Sequence, residues 1–240
     1  MDQNITQSLR VLAIVPAYNE EITIQSVIQE ILDKVTGIVV CVVNDGSNDK
    51  TAEVAKESGA VVISHPFNMG IGAAVQTGFI YAIRNDFDVA VQVDADGQHD
   101  PSFIMKMVSE LTQMNADVVS GSRFIKKGGY KSSFLRRIGI VVFEVINRIV
   151  VGQKITDSTS GFRAFNKRAI AFLADKYPED YPEPEVLIIL KKNGYKVMEI
   201  PVDMRNRQGG QSSIKGYKSL HYMAKVILAI LMQSVKVEEK

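Results

Sequence analysis

Short apolar runs begin near Val11, Ile38, Ala60, Val89 and Asp117, about every 22 to 29 residues along the chain. Helical periodicity fills the gaps between them: Ile24, Val27, Ile28, Ile31 and Leu32, then Thr51 to Ser58, Gly70 to Arg84 and Phe103 to Met114. This is the rhythm of βαβ crossovers. The expected fold is therefore α/β, a Rossmann-like, mostly parallel sheet flanked by helices. Ile38 to Val43 (IVVCVV) is unbroken and β-branched, as a strand covered on both faces should be. Pro16 is expected to end the first strand, because proline brings no N–H to a ladder. Asn19 is available to cap the helix that follows, and Asn48 or Asp49 the next.

Ligands of such sheets bind beyond the carboxyl ends of the strands. Each strand here runs into polar, proline or glycine chemistry: Pro16 to Glu20, Asn44 to Asp49, Asn68 to Gly72, Asp94 to Asp100 and Gly121 to Arg123. The most informative stretch is Val89 to Asp100, VAVQVDADGQHD. Alternation puts Val89, Val91 and Val93 on one face and Ala90, Gln92, Asp94 and Asp96 on the other, so both carboxylates point the same way. Like charges there repel unless a cation lies between them, and oxygen ligands favour Mg²⁺ or Mn²⁺. On turn chemistry alone, an Asp-Ala-Asp-Gly turn closing the strand is the alternative.

Composition removes other classes. The chain has 240 residues, 46% hydrophobic and 23% charged, ample for one large domain. A net charge of +1 gives no overall field for polyanions, so no nucleic-acid partner is expected. Charge is nevertheless segregated: Arg123, Lys126, Lys127, Lys131, Arg136 and Arg137 occur with no acid among them, whereas Glu179 to Glu185 is acidic. The single cysteine, Cys41, lies in an apolar run and fits a reducing compartment. His65, His99 and His221 are too scattered for zinc. No GxxxxGK[ST] loop occurs, and Gly70, Gly72 and Val75 fail the third glycine of GxGxxG, which disfavours hydride transfer. No apolar run reaches the ~18 residues of a spanning helix, and no signal-like core opens the chain, so it is expected not to cross a membrane. Phe134 to Val151 and Tyr217 to Val235 are amphipathic with basic borders, a pattern that suits a membrane interface or core packing alike.

The motifs Val15-Pro-Ala-Tyr-Asn-Glu-Glu21, Asn44-Asp-Gly-Ser-Asn-Asp49, Asn68-Met-Gly-Ile-Gly72, Asp94-Ala-Asp-Gly-Gln-His99, Gly121-Ser-Arg123 and Thr159-Ser-Gly-Phe-Arg163 follow in this order. Together they resemble family 2 glycosyltransferases of the GT-A fold, and within them the polyprenyl-phosphate, dolichol-phosphate mannosyltransferase-like group. The resemblance covers about Leu12 to Gln211. It implies one domain over 1–240, with a nucleotide-sugar half at 1–123 and an acceptor half with interfacial helices at 124–240. Pro16, Ala17, Tyr18 and Glu20 would floor the nucleotide site, Asp45 would contact base or ribose, and Gly70, Gly72, Asp94 and Ala95 would complete it. Asp94, Asp96 and Gln98 would hold Mg²⁺ or Mn²⁺ with the diphosphate. Arg123, Arg136, Arg137 and Arg163 would face the acceptor phosphate, with Asp157 beside them.

The implied reaction is inverting transfer of one sugar from a UDP- or GDP-sugar to a polyprenyl phosphate. The protein would be cytoplasmic and peripheral on the membrane, docked through its amphipathic helices or a small membrane-protein partner, with a homo-oligomer as a further expectation. Two alternatives stay open: transfer to a soluble hydroxyl acceptor, with Asp157 as base, or a silent sugar-nucleotide-binding subunit. One departure is clear. Members of the group it resembles usually carry Arg-x-x-Gly-x-Ser-Lys near the carboxyl end, whereas this chain reads Arg207-Gln-Gly-Gly-Gln-Ser-Ser-Ile-Lys215, with no direct Ser-Lys pair at Ser213.

Overall fold

The computed structural model describes residues 9–125, 155–178 and 182–205. The first half alternates as expected: β1 (Val11–Ala17), α1 (Ile24–Lys34), β2 (Val39–Asn44), α2 (Thr51–Glu57), β3 (Val61–Ser64), α3 (Ile71–Arg84) and β4 (Val89–Gln92). A 3-10 turn (Pro101–Phe103) leads into α4 (Ile104–Gln113) and β5 (Val118–Ser122). Then come β6 (Arg163–Asn166), α5 (Lys167–Lys176), α6 (Pro182–Lys192) and β7 (Val197–Pro201). They form one seven-stranded sheet in the order β3-β2-β1-β4-β6-β5-β7. Only β6 runs against its neighbours, β4 and β5.

Period-2 alternation divides the core into two layers. Val11, Ala13 and Val15 of β1, Val40 and Val42 of β2, and Val89 and Val91 of β4 pack under Ile24, Ile28 and Ile31 of α1 and Ile104, Met107 and Val108 of α4. The intervening residues Leu12, Ile14, Cys41, Val43 and Ala90 face Ala74, Val75 and Phe79 of α3, Ile170 of α5 and Leu187 of α6. The sheet is thus covered on both sides, which is why IVVCVV is apolar at every position. Cys41 is fully enclosed, and burial pushes its thiol up to about 12, the state of an unreactive packing residue. Helix α3 approaches β1 closely at Gly78, where a Cβ would come within 2.3 Å of Ile14 Cγ2.

Three local expectations are corrected. Pro16 does not end β1; it pairs in register with Val43, and the strand continues to Ala17. The Ile14 carbonyl accepts from Val93 N, and the Ala17 carbonyl from Asp45 N, so successive residues address opposite neighbours. Pro16 therefore faces the β4 side, where the ladder has already ended at Ile14↔Gln92, and no donor is missed there. Asn19 is not the cap of α1. It takes a left-handed φ of 55°, and the helix opens at Thr23 without a side-chain cap. Asp49 sits one residue ahead of the α2 cap, where its Oδ1 accepts from Thr51 N at 3.0 Å.

Neither β6 nor β7 is among the expected strands. The stretches Phe134 to Val151 and Tyr217 to Val235, the pair Arg136 and Arg137, and the Ser213 segment lie outside the described residues. Among the described residues, no helix is long and apolar enough to cross a membrane.

Candidate functional site

Three loops at the carboxyl ends of β1, β2 and β3 are laced into one surface. Asn19 N donates to Ser47 Oγ and its Oδ1 accepts from Asn48 N, each at 2.9 Å. Glu20 N donates to Thr51 Oγ1, Glu21 N to Asp49 Oδ2, and Lys50 N to Glu21 Oε2. Glu20 turns its own carboxylate to the Thr23 hydroxyl at 2.8 Å. Pro16 and Ala17 are buried beneath this lacing, and Tyr18 is exposed beside it.

Asp45 joins the third loop. Its Oδ1 accepts from Met69 N and from His65 Nδ1, and its Oδ2 accepts from Gly70 N, all at 2.8 Å. This carboxylate was expected to meet a base or ribose; what the geometry gives it is the glycine turn that opens α3 at Gly70 and Gly72. Gly46 beside it is fixed for two reasons. Its φ is +69°, and a Cβ would lie 2.4 Å from the Phe67 carbonyl carbon.

The acidic turn follows β4. Gln92 and Asp94 share a face, as alternation requires: a Cβ on Gly161 would lie 3.0 Å from Gln92 Nε2 and 3.1 Å from Asp94 Oδ1. Beyond Asp94 the chain turns, with Gly97 at φ 75°, so Asp96 is placed by the turn and not by strand alternation. Asp96 is buried, and its Oδ1 accepts from Gln98 N at 3.0 Å. Gln98 is tied outward, its carbonyl to Arg205 N and its side-chain amide to the Arg205 carbonyl. Arg205 in turn makes a two-pronged ion pair with Glu30 at 2.7 Å and a contact with Asp100 at 3.2 Å.

Asp94 Oδ1 is buried with no hydrogen-bond partner among the described residues. An orphaned carboxylate oxygen in the same turn as a second aspartate fits a divalent cation. Among the described residues no three His, Cys, Asp or Glu converge as a cage. Mg²⁺ and Mn²⁺ suit that arrangement, because they bind through one or two carboxylates and leave the remaining positions to water and substrate phosphate. Asp94 and Asp96 are the side chains that would hold such an ion here. Ala95 between them is buried in the core.

A cationic fork lies at the same rim of the sheet, on the chain after β5. Arg123 donates through Nε and Nη2 to the two oxygens of Asp157, at 2.7 Å each, and through Nη2 to Thr159 Oγ1 at 2.8 Å. Asp157 is itself held by Glu199 of β7, whose Oε1 accepts from Asp157 N and whose Oε2 accepts from Thr156 N. Burial raises the Glu199 carboxyl despite these donors. Arg163, expected on the acceptor side, is instead 1% exposed and sits behind the loop, donating to the Ser158 carbonyl at 3.0 Å and Ser120 Oγ at 3.4 Å. Burial lowers its affinity for the proton, against the pull of Tyr177, Glu183, Asp157 and Glu199. Burial, together with the charge of Asp94, holds Glu183 above the usual carboxylate range, although Arg163 opposes this.

Glu183 and Glu199 carry no signal in the sequence that assigns them to this site, and Gly161 and Phe162 stand in the Thr159 to Arg163 motif without a role assigned to either. They come from distant elements and meet only through the sheet order. His99 was legible as part of the motif, but its role depends on Phe162.

A GT-A sheet with an Asp-x-Asp turn at the end of its fourth strand defines the class of sugar-nucleotide glycosyltransferases. The chain belongs to the Glycosyl transferase family 2, whose family model matches residues 12–173. It is 32% identical over 209 residues to the UDP-N-acetylglucosamine–dolichyl-phosphate N-acetylglucosaminyltransferase of Methanococcus voltae, covering 79% of this chain and 83% of that one. It is 34% identical over 196 residues to the dolichyl-phosphate hexose transferase of Haloferax volcanii, covering 80% and 81%. The fold matches glucosyl-3-phosphoglycerate synthase of Mycobacterium tuberculosis, solved with Mn²⁺, UDP and glucosyl-3-phosphoglycerate, at a TM-score of 0.75 and 21% identity, covering 99% and 84%.

Proposed function

We propose that this protein is an inverting, metal-dependent glycosyltransferase that moves one sugar from a nucleotide diphosphate sugar to a polyprenyl phosphate, working peripherally at the cytoplasmic face of a membrane. The observation that carries the reading is the buried Asp94 Oδ1, without a hydrogen-bond partner among the described residues and in the same turn as Asp96, at the same rim of the sheet as the Arg123 fork. The curated relatives named above are transferases to dolichyl phosphate, which supports the acceptor class.

In this reading an acceptor phosphate oxygen attacks the anomeric carbon. The new carbon–oxygen bond forms as the bond to the diphosphate oxygen breaks, and that electron pair leaves with the nucleoside diphosphate. Asp94 and Asp96 would hold the divalent cation at the diphosphate end. When bound, Mg²⁺ or Mn²⁺ supplies neutralisation of the diphosphate charge as it departs. A phosphate monoester, with a second pKa of about 6, is already a nucleophile at neutral pH and requires no strong base.

That suits Asp157, whose two oxygens are both engaged by Arg123, a poor arrangement for a general base and a good one for fixing a cation. Arg123 then opposes the repulsion between two approaching phosphates. Arg136 and Arg137, outside the described residues, extend the basic run. Docking on the membrane rests on the amphipathic patterns of Phe134 to Val151 and Tyr217 to Val235, and sedimentation with anionic vesicles tests it.

The deciding experiment incubates the protein with a panel of labelled UDP- and GDP-sugars, polyprenyl phosphate in detergent, and Mg²⁺ or Mn²⁺. Label extracted into the organic phase, with inverted anomeric configuration by NMR, is the expected result. Label confined to water-soluble product would replace the acceptor class, and binding without turnover would replace the enzyme by a silent subunit. Asp96→Ala and excess chelator should each abolish transfer, the chelator reversibly.

A further inference from the structure

The histidine that closes the acidic turn touches Asp94 twice. His99 Nδ1 lies 3.0 Å from Asp94 N, and a backbone N–H can only donate, so Nδ1 carries the lone pair and Nε2 the proton. Nε2 in turn lies 3.5 Å from Asp94 Oδ2. The ring has little freedom to leave. It is 4% exposed, stacks on Phe162 with centroids 4.8 Å apart and planes 14° from parallel, and its backbone bridges to Met204. The two Asp94 oxygens are thereby made unequal: Oδ2 lies within electrostatic reach of Nε2 at a separation longer than a hydrogen bond, while Oδ1 stays beside Gly161 with no hydrogen-bond partner among the described residues.

We infer that His99 is a positioning residue of the sugar-nucleotide site, holding Asp94 by its backbone N–H and one carboxylate oxygen so that the other oxygen is turned to the ligand. The inference rests on the proposed function, in which Asp94 serves the diphosphate end. The physical logic is that of an outer-sphere partner: an imidazole N–H fixes a carboxylate rotamer that would otherwise be shared among several, and it adds no charge to the site. The ring also ties the first residue of the Asp94–His99 turn to the last, so Asp96 and Gln98 between them inherit the same constraint.

The test is calorimetric titration of UDP in the presence of Mn²⁺, per folded protein, for wild type, Asp94→Ala, His99→Asn, His99→Gln and the double variant Asp94→Ala/His99→Asn. Asparagine places an acceptor where Nδ1 was but nothing where Nε2 was. Glutamine reaches the Nε2 position with an N–H and gives up the Nδ1 contact. Affinity should fall roughly 10- to 100-fold in His99→Asn, the usual cost of losing an outer-sphere partner, and less in His99→Gln. A merely structural histidine would not produce that order, because both changes remove the stack on Phe162 equally.

In the Asp94→Ala background, His99→Asn should cost less than about threefold more, within the scatter of independent sites. Wild-type affinity in His99→Asn alongside lost affinity in Asp94→Ala would overturn this inference alone, as would a full additional loss in the double variant. Unchanged affinity in Asp94→Ala would overturn the reading of the site together with the inference.

Discussion

Arg123 and Asp157 meet fork to fork, with Nε on Oδ2 and Nη2 on Oδ1 at 2.7 Å each, and the Asp157 side chain fully enclosed. Removing this enclosed carboxylate strips the Arg123 fork of both its charge-assisted hydrogen bonds to Asp157 and empties the space the side chain filled. Asp157→Ala should therefore destabilise the fold by about 3–5 kcal/mol in denaturant unfolding. Arg123→Lys keeps the charge but not the planar fork, so transfer to polyprenyl phosphate should drop at least roughly tenfold while UDP affinity with Mn²⁺ stays near wild type. Equal losses of transfer and UDP binding would place Arg123 on the donor side instead.

Glu199→Gln tests the support beneath that fork. Both carboxylate oxygens accept, from Asp157 N on one side and from Thr156 N and Oγ1 on the other. A glutamine amide offers one acceptor and turns an NH₂ towards a donor, leaving a buried N–H unmet at a cost of about 1–3 kcal/mol. Unfolding midpoints should fall accordingly. Transfer should fall with them, and UDP affinity should not.

Gly161→Ala addresses the wall behind Asp94. The added methyl would stand 3.0 Å from Gln92 Nε2 and 3.1 Å from Asp94 Oδ1, tight enough to displace the carboxylate without breaking the fold. Circular dichroism should be unchanged and the Mn²⁺ concentration for half-maximal activity raised. An unchanged metal requirement would show that Asp94 can shift without consequence.

Asp117 carries an acid-sensitive part of the stability, remote from the chemistry. Burial works against its ionisation, but hydrogen bonds from Arg168, Lys196 N and Asn166, with the Arg168 charge, prevail and hold the carboxyl at about 2. A carboxyl depressed in the folded state stabilises above its unfolded pKa, and this stabilisation is lost as pH falls through the folded value. Asp117→Asn should thus be less stable than wild type at neutral pH, and the gap in melting temperature should shrink as pH falls from about 4 towards 2. A gap that stays constant over that range would mean the lost stability is packing, not charge.

How far the sequence carries can be seen at particular residues. Strands β1 to β5 were legible because each repeats a period and each empties into polar residues. Asp94, Asp96 and Arg123 were legible as motif members and Asp157 through the resemblance alone, and the fold brings Arg123 and Asp157 into contact. Strand β6 was not, because Arg163–Asn166 holds only Ala164 and Phe165 as apolar residues and becomes a strand by being paired on both sides. Arg163 misled for a related reason. A guanidinium is ordinarily at the surface, and only the tertiary packing reveals an enclosed one. Pro16 and Asn19 were judged by local rules that the end of a ladder and a neighbouring loop override.

The reversed direction of β6 has a further consequence for how such a protein can diversify. A parallel strand in its place would draw its leading residues from the opposite rim; running backwards, it delivers Asp157 to Phe162 over the edge where β4 ends. Ala164 lies opposite both Val91 and Val119, and Ala164 and Phe165 belong to different core layers. Sliding β6 by one residue would exchange those layers and withdraw Gly161 from Asp94 in the same movement. The spacing between the Asp94–Asp96 turn and the Arg123–Asp157 fork is therefore gauged by a ladder of hydrogen bonds. Between Ile155 and Arg163 the chain is thus closed to insertion.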